Sequence, residues 1–231
     1  MEPAKWTPER AAAIIDHSLL RPNLKDEDLI RMCDEAVKYR FCTVTVNPCS
    51  VMLSKERVRG SSVKVCSVVS FPFGLSRTEV KVREALVAIG DGASEIDMVL
   101  NIGAEKSHQY SVVFRDAKAV VDAAKGTDKA IVVKAILETC YLTDEEKVAA
   151  CQACVKAGVD FVKTSTGYGS GGATVHDVVL MHKTVGPEIG VKAAGGISSA
   201  KTFVELASAG ANRIGTSHSV DIINQLSSNV V

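Results

Sequence analysis

The sequence predicts a single α/β domain, spanning residues 1–231, that folds as a (β/α)8 TIM barrel with a short N-terminal helix. Short apolar, β-branched segments alternate with amphipathic helical segments along the whole chain, and no linker rich in Pro, Gly or Ser divides them. Several helical segments end in Ala-Gly or Ile-Gly, and glycine commonly ends a helix. A doubly wound open sheet has the same local pattern. The chemistry of the residues at the strand ends is therefore also needed to choose between the barrel and the open sheet.

The predicted strands are short and apolar, and we place eight of them, at residues 16–19, 42–47, 63–70, 94–101, 130–138, 159–164, 190–194 and 211–216. Helical patterns fill the intervals, and the clearest cover residues 78–89, 111–124, 144–157, 174–185 and 199–209. This alternation is typical of parallel strands joined by crossover helices.

Composition and charge narrow the class of protein. The hydrophobic content of 46% is enough for a full core, and 27 Lys and Arg balance 27 Asp and Glu, so nucleic acid and anionic membranes are not expected partners. The N-terminus lacks a signal-peptide core, and no long apolar run predicts a membrane span, so we expect a cytoplasmic protein. Seven cysteines indicate free thiols in a reducing compartment, and the lone pair Cys151 and Cys154 lies within a helical pattern typical of core packing.

A glycine-rich segment follows the sixth predicted strand. Gly167, Gly169 and Gly172 match the spacing of a dinucleotide-binding loop. The next strand, in GVKAAGG, lacks the acidic residue that would hold a ribose, so NAD binding is not expected. A mobile loop, or one that approaches a phosphate, accounts better for these glycines.

Charged residues interrupt four of the apolar strands. Lys134, Lys163 and Lys192 lie in three of them, and Asp97 lies in a fourth. Because the C-terminal ends of barrel strands converge, we expect these side chains to meet in the interior, near its mouth. The alternative is a set of buried ion pairs without chemistry, in which Lys134 pairs with Glu138 and Asp97 neutralises another lysine.

A buried lysine suits one kind of chemistry in particular. The amine attacks a carbonyl only when it is neutral, which requires a pKa about three units below its ordinary value of about 10.4. A second ammonium about 4 Å away would supply around 4 kcal/mol toward that shift. We choose Lys163 as the nucleophile over Lys192, because the hydroxyls and the glycine of the TSTG segment, including Thr166 and Gly167, could orient a polar substrate.

The loops after the last two strands form a candidate phosphate site. Gly195 and Gly196 lead into a helix, and Gly215 and Ser217 follow or end the eighth strand. Helix N-termini and bare glycine amides bind phosphate, and these loops are its usual location in such barrels. Helix capping and tight turns explain the same residues about equally well.

Taken together, a series of motifs resembles the deoxyribose-phosphate aldolase family of class I, imine-forming aldolases. In order, the motifs are IDHSLLRP, VTVNP, VSFPFG, EIDMVLNIGA, KAILET, FVKTSTG, GGAT, VKAAGGI and RIGTS. The resemblance implies a barrel that reversibly cleaves 2-deoxy-D-ribose 5-phosphate into acetaldehyde and D-glyceraldehyde 3-phosphate, without a metal or organic cofactor. It also implies that Lys163 is the Schiff-base lysine and that Lys192 and Asp97 donate and accept protons.

Five positions depart from the family pattern as the resemblance gives it. They are Ser18 and Arg21 in the first motif, Thr45 where a cysteine is common, Ser198 where an arginine is common, and His218 where a serine is common. Ser198 and His218 adjoin the proposed phosphate loops. We therefore expect small sugar phosphates and aldehydes as ligands, and the sequence leaves a homodimer open.

Two other functions remain as alternatives. One is an imine-forming aldolase of the transaldolase type, and the other is a barrel that binds sugar phosphates without catalysis. A metal-dependent aldolase is disfavoured because the five histidines contain no close ligand pair such as H-x-x-x-H. We expect His17, near the first strand, to be a hydrogen-bonded structural residue.

Overall fold

Eight parallel strands close into a barrel in chain order in the computed structural model, which describes residues 6–228. The strands are β1 (Ile15–Ser18), β2 (Thr43–Val46), β3 (Lys64–Val69), β4 (Glu95–Val99), β5 (Val132–Ile136), β6 (Phe161–Lys163), β7 (Gly190–Ala194) and β8 (Arg213–Thr216). Pairing of β1 with β8 completes the ring, so the predicted (β/α)8 barrel is confirmed and the open sheet is excluded.

Helices connect the strands around the outside of the barrel. They are α1 (Pro8–Ala12), α2 (Asp26–Tyr39), α3 (Val51–Arg57), α4 (Thr78–Gly90), α5 (Ile102–Lys106), α6 (Tyr110–Thr127), α7 (Asp144–Ala157), α8 (Val175–Val185), α9 (Ala200–Ser208) and α10 (Ser219–Ser227). Short 3₁₀ helices cover Pro48–Ser50 and Thr139–Tyr141. The short N-terminal helix predicted from the sequence is α1, which begins after the capping side chain of Thr7.

Most predicted elements are found, with shorter strands than the apolar runs suggested. The sixth strand is the clearest case, since residues 159–164 were expected and only Phe161–Lys163 are extended in the sheet. Beyond that strand, the Thr164 amide still donates to the carbonyl of Lys192 at 3.0 Å. The backbone pairing therefore runs into the loops, and it holds the residues after the strand in register.

The strand register places the charged residues side by side. Asp97 on β4 is the direct neighbour of Lys134 on β5, and Lys163 on β6 is the direct neighbour of Lys192 on β7. Side chains alternate between the two faces of a strand, so these charges share the barrel interior. All four side chains are almost completely buried.

Two other sequence expectations concern regions outside the barrel interior. Cys151 and Cys154 are free, buried thiols of α7, and burial raises the pKa of Cys151 to about 12, which fits core packing. Within residues 6–228, none of the helices combines the length and apolarity that crossing a bilayer requires.

Candidate active site

A cavity of about 550 Å³ opens at the C-terminal ends of the strands. Its walls come from the segments that follow β1, β6, β7 and β8, and the Lys163 side chain reaches it from below. All six residues predicted to bind substrate or phosphate line this cavity: Thr166, Gly167, Gly195, Gly196, Gly215 and Ser217. This is the end of the barrel where enzymes of this fold carry their active sites.

At the base of the cavity, two lysines share one carboxylate oxygen. Lys163 Nζ and Lys192 Nζ each donate to Asp97 Oδ2 at 2.7 Å. The separation of the two nitrogens therefore cannot exceed twice this distance. The structure thus brings together the three residues predicted to be catalytic.

The other oxygen of Asp97 is held by a third lysine. Asp97 Oδ1 accepts from Lys134 Nζ at 2.9 Å and from Cys66 Sγ at 3.2 Å. Lys134 also forms an ion pair with Glu95 at 2.5 Å. The alternative pairing of Lys134 with Glu138 is therefore wrong, because Glu138 lies beyond the end of β5 and bonds to Thr166 instead.

A second layer of charges lies below this centre. Asp16 forms ion pairs with Lys192 at 2.5 Å and with Arg213 at 2.7 Å, and Arg213 also reaches Glu95 at 3.1 Å. Sequence reasoning missed Asp16, Glu95 and Arg213. One signal was available, because Glu95 precedes Asp97 by two positions and so shares its face of the strand.

The buried charges of the two layers do not balance when every group is ionised. Four cationic side chains (Lys134, Lys163, Lys192 and Arg213) face three carboxylates (Asp16, Glu95 and Asp97). Glu138, a further buried carboxylate, interacts with Lys163 from outside these two layers. The excess of one cation within the layers adds to burial in favouring the neutral form of one of their lysines.

Of the three lysines, Lys163 is the one whose pKa lies below its ordinary value. Burial lowers the pKa of Lys163, and the positive charge of Lys192 lowers it further, against the opposing effect of Asp97. Burial also acts on Lys192, but Asp16 and Asp97 outweigh it and raise the pKa of that lysine. The sequence argument gave the main role to the neighbouring ammonium, whereas burial is the larger cause.

The carboxylate at the centre stays ionised. Burial would raise the pKa of Asp97, but Lys134, Lys163 and Lys192 together hold it well below its ordinary value. A charged Asp97 can accept a proton, and the lysines beside it can return one. The arrangement places the lysine of lowered pKa beside a carboxylate and an ammonium group within one hydrogen-bonded group.

The loops above this centre pack closely against one another. Gly195 has a φ of 89°, a backbone conformation that favours glycine. A Cβ at Gly172 would clash with the carbonyl oxygen of Gly195, so that position has no room for a side chain. The Thr216 hydroxyl donates to the carbonyl of Ile197 at 2.6 Å, which ties the loop after β8 to the loop after β7. Ser199 caps α9 by accepting from the Thr202 amide, as the capping explanation expected.

Four of the five departures from the family pattern also line the cavity: Ser18, Arg21, Ser198 and His218. Thr45 is fully buried on β2 and is not part of the lining. Among the described residues, the side chains of this lining that can carry a positive charge are Arg21, Lys163 and His218, and no carboxylate joins them.

Two other clusters of polar side chains lie outside the cavity. His17 forms hydrogen bonds with Ser219 at 2.8 Å and with Glu35 at 3.1 Å. Both His17 and Ser219 are buried outside the cavity lining, which fits the expected role of His17 as a hydrogen-bonded structural residue. Asp144, His176 and Asp177 are close enough together to ligate a metal ion. Their carboxylates instead pair with the ammonium group of Lys147, at 3.1 Å for Asp144 and 2.6 Å for Asp177.

An open cavity lies over a buried lysine and carboxylate centre at the C-terminal mouth of a (β/α)8 barrel. This arrangement is typical of a barrel enzyme that acts through a lysine. Residues 10–218 match the model of the DeoC/LacD family of aldolases. The chain belongs to this family. The resemblance seen in the sequence motifs is thereby confirmed.

The similarity extends over nearly the whole chain. A deoxyribose-phosphate aldolase of Thermococcus gammatolerans is 55% identical over 214 residues, which are 92% of this chain and 94% of that protein. The enzyme of the same name from Carboxydothermus hydrogenoformans is 50% identical over 217 residues, covering 94% and 95% of the two chains.

Solved structures agree with this placement. A crystal structure described as a deoxyribose-phosphate aldolase of Coccidioides immitis superposes with a TM-score of 0.91 at 38% identity, covering 96% of this chain and 88% of the other. A tetrameric deoxyribose phosphate aldolase of Aeropyrum pernix superposes with a TM-score of 0.90 at 34% identity, covering 96% and 93%.

Proposed function

We propose that this protein reversibly cleaves 2-deoxy-D-ribose 5-phosphate into acetaldehyde and D-glyceraldehyde 3-phosphate through an imine on Lys163. The observation that carries the proposal is the single oxygen of Asp97 shared by Lys163 and Lys192 at the base of the cavity. The names of the relatives at 50% identity and above support the choice of substrate.

The reaction begins with the amine of Lys163. In its neutral form, Lys163 Nζ adds to the aldehyde carbon of the open-chain sugar, and loss of water gives a protonated imine. A base then removes the proton of the C3 hydroxyl, and the bond between C2 and C3 breaks. The electron pair of that bond moves into the imine to form an enamine, and D-glyceraldehyde 3-phosphate leaves.

The second half of the reaction needs a proton and a water molecule. Lys192 and Lys163 both donate a hydrogen bond to Asp97, and we assign the protonation of the enamine carbon to Lys192 and Asp97. Hydrolysis of the resulting imine releases acetaldehyde and regenerates the amine. We assign no cofactor to any of these steps.

The upper part of the cavity orients the substrate. We assign contacts with the sugar and the phosphate to Thr166, Gly167, Gly195, Gly196, Gly215 and Ser217, which line the walls above Lys163. Holding the phosphate there fixes the distance between the aldehyde and the amine, and this orientation lowers the entropy cost of the reaction.

Reduction of the imine tests the proposal directly. Borohydride added together with acetaldehyde should attach an ethyl group to one lysine, and peptide mass mapping should place it on Lys163. Turnover should be measured in parallel with 2-deoxy-D-ribose 5-phosphate. Labelling of Lys163 without turnover of that sugar would favour an aldolase of the transaldolase type, and binding without labelling or turnover would favour a non-catalytic barrel.

The compartment and the assembly of the protein are part of the same proposal. We infer a cytoplasmic enzyme, since all seven cysteines are free thiols, as in proteins of reducing compartments. We also retain the homodimer, which sedimentation or light scattering would distinguish from the tetrameric state of the Aeropyrum pernix relative.

A further inference from the structure

Glu138 is a buried carboxylate next to the active site that has no part in the chemistry proposed above. It follows β5 and adopts a φ of 58°, a left-handed conformation that residues other than glycine rarely adopt. Such conformations persist where the surrounding structure enforces them, and they are frequent at functional sites. This one directs the side chain toward the loop after β6.

The carboxylate of Glu138 holds that loop through both of its oxygens. Glu138 Oε1 accepts from the Thr166 amide at 3.1 Å, and Glu138 Oε2 accepts from the Thr166 hydroxyl through a short hydrogen bond. The same hydroxyl oxygen accepts from the Tyr168 amide at 3.0 Å. Thr166 and Tyr168 both line the cavity, so Glu138 sets the position of part of its wall.

The backbone around Glu138 is itself anchored. The Leu137 amide donates to the Lys163 carbonyl at 3.0 Å, and the Thr139 amide donates to the Thr164 carbonyl at 2.9 Å. Glu138 is therefore fixed on both sides to the strand that carries Lys163. The loop also packs directly on it, since a Cβ at Gly169 would stand 3.1 Å from Glu138 Cδ.

The charge of Glu138 is not balanced by an ion pair with any residue between 6 and 228. Burial raises the pKa of its carboxyl, while the two bonds from Thr166 and the positive charge of Lys163 lower it. Its oxygens are thus committed to loop donors. A carboxylate with these partners acts as a hydrogen-bond acceptor for the loop and leaves Asp97 as the partner of the lysines.

We propose that Glu138 is a positioning residue that holds Thr166 and Tyr168 in the cavity wall and thereby orients the phosphorylated end of the substrate. The inference rests on the proposed function only in taking a sugar phosphate as the bound molecule. It predicts that Glu138 acts on substrate binding through Thr166, and that Lys163 still forms the imine when Glu138 is changed.

Hydrogen exchange of the free enzyme tests the positioning without any substrate. The variant Glu138→Gln keeps the size of the side chain but replaces one of the two accepting oxygens by an NH2 group, which cannot accept a hydrogen bond from Thr166. We expect faster exchange in the peptide that covers residues 164–172, and no change in the strands. A matched control is Glu146→Gln, because Glu146 also accepts from a threonine amide, that of Thr143, far from the cavity lining.

Kinetics test whether the positioning matters for the substrate. For Glu138→Gln and for Thr166→Val, we expect KM for 2-deoxy-D-ribose 5-phosphate to rise about tenfold or more, as for loss of a hydrogen bond to a charged group. The KM for unphosphorylated 2-deoxy-D-ribose should rise by a much smaller factor. Thr166→Ser, which keeps the hydroxyl, should restore most of the affinity.

The double variant separates the proposal from a general structural role. If Glu138 acts through Thr166, combining Glu138→Gln with Thr166→Val should cost little more than either change alone. Independent effects, an equal loss with both sugars, or unchanged exchange at residues 164–172 would overturn the positioning role. If the unmodified enzyme cleaves neither sugar, the proposed function fails, while the exchange experiment still decides the role of Glu138 in the loop.

Discussion

Gly215 on β8 lies directly against the side chain of Lys192: a Cβ at this position would stand 3.0 Å from Lys192 Cε and 3.2 Å from Ala194 Cβ. The absence of a side chain at Gly215 therefore leaves room for the lysine that shares Asp97 with Lys163. Gly215 was predicted as a substrate contact and does line the cavity. Its second effect, on Lys192, appears only in three dimensions.

We predict that Gly215→Ala displaces the Lys192 ammonium and lowers kcat by roughly 10-fold to 100-fold, because small misplacements of catalytic groups are costly. Steady-state kinetics at saturating substrate measure the effect. Gly126→Ala is the control and should leave kcat unchanged. Gly126 lies on α6, and a Cβ at this position would have no neighbouring atom within 4 Å. A folded Gly215→Ala variant with unaltered kcat would contradict this role.

Replacement of Lys163 by methionine should abolish both borohydride labelling and turnover, with a loss in kcat of about 1000-fold or more. If Lys163 is neutral in the folded protein, the melting temperature should not fall greatly, because the change then removes no charge from the cluster. Labelling, kinetics and thermal unfolding should be measured on the same preparation. Lys125→Met, which breaks the ion pair with Asp160 on the outside of the barrel, should keep its label. Labelling that persists in Lys163→Met would show that another lysine reacts.

The partners of Lys163 should shift its titration in opposite directions. Activity requires the neutral amine, so kcat/KM rises as pH passes the pKa of Lys163. Lys192 lowers that pKa, and Lys192→Met should therefore move the acidic limb of the profile to higher pH. Asp97 raises it, and Asp97→Asn should move the same limb to lower pH.

Both variants should also lose about 100-fold or more in maximal rate, because each removes a proton-transfer group. Asp97→Asn should in addition lower the free energy of unfolding by about 3 kcal/mol or more, since it leaves buried lysines without their carboxylate. Profiles that shift in the same direction would contradict the proposed coupling.

Glu105 on α5 provides a prediction about stability. It is fully buried, and neither carboxyl oxygen has a hydrogen-bond partner among the described residues. Burial raises its pKa well above 4.5, and Glu146 and Glu138 add to this shift against the opposing effect of Lys81.

In the folded protein, Glu105 keeps its proton to a higher pH than it does in the unfolded chain. The contribution of Glu105 to stability is therefore complete below the pKa that its carboxyl has in the unfolded chain. It is lost as pH rises through the folded pKa. Glu105→Gln should remove this dependence and raise the melting temperature at pH 8 by about 2 °C or more relative to the unmodified protein. If Glu105 were ionised in the folded state, the melting temperatures of Glu105→Gln and of the unmodified protein would depend on pH in the same way between pH 4 and about pH 8.

The anion contacts of the cavity lead to another prediction. Apart from Lys163, the side chains of the described lining that can carry a positive charge are Arg21 and His218, so Arg21→Ala should raise KM for the phosphorylated sugar by about 10-fold. Ser198→Arg adds a cation to the same wall and should lower that KM. Unphosphorylated 2-deoxy-D-ribose is the control substrate, and equal effects on both sugars would contradict an anion contact.

The strand pattern was sufficient to predict the centre of the site. Lys134, Lys163, Lys192 and Asp97 interrupt apolar strands, and period-two alternation allows few places for such charges other than the barrel interior. The glycines of the last loops were equally visible, because each stands beside a strand end.

The partners of these groups could not be predicted from one strand at a time. Lys134 was paired with Glu138 on its own segment, but the left-handed backbone of Glu138 carries that carboxylate away to Thr166. Register between strands instead sets Lys134 beside Asp97, and barrel closure brings Arg213 to Asp16. The sequence contains no local signal for either relationship.

The excess of one cation in the interior bears on the direction of electron flow. With Lys163 neutral, the four cations and three carboxylates of the two layers reduce to equal numbers, and the proposed protonated imine on Lys163 would restore the surplus positive charge. The enamine carries no such charge. In the proposed reaction, repulsion from the neighbouring ammonium and guanidinium groups therefore pushes the bonding electrons of C2–C3 toward the nitrogen, so the barrel that holds the amine would also supply part of the force that cleaves the sugar.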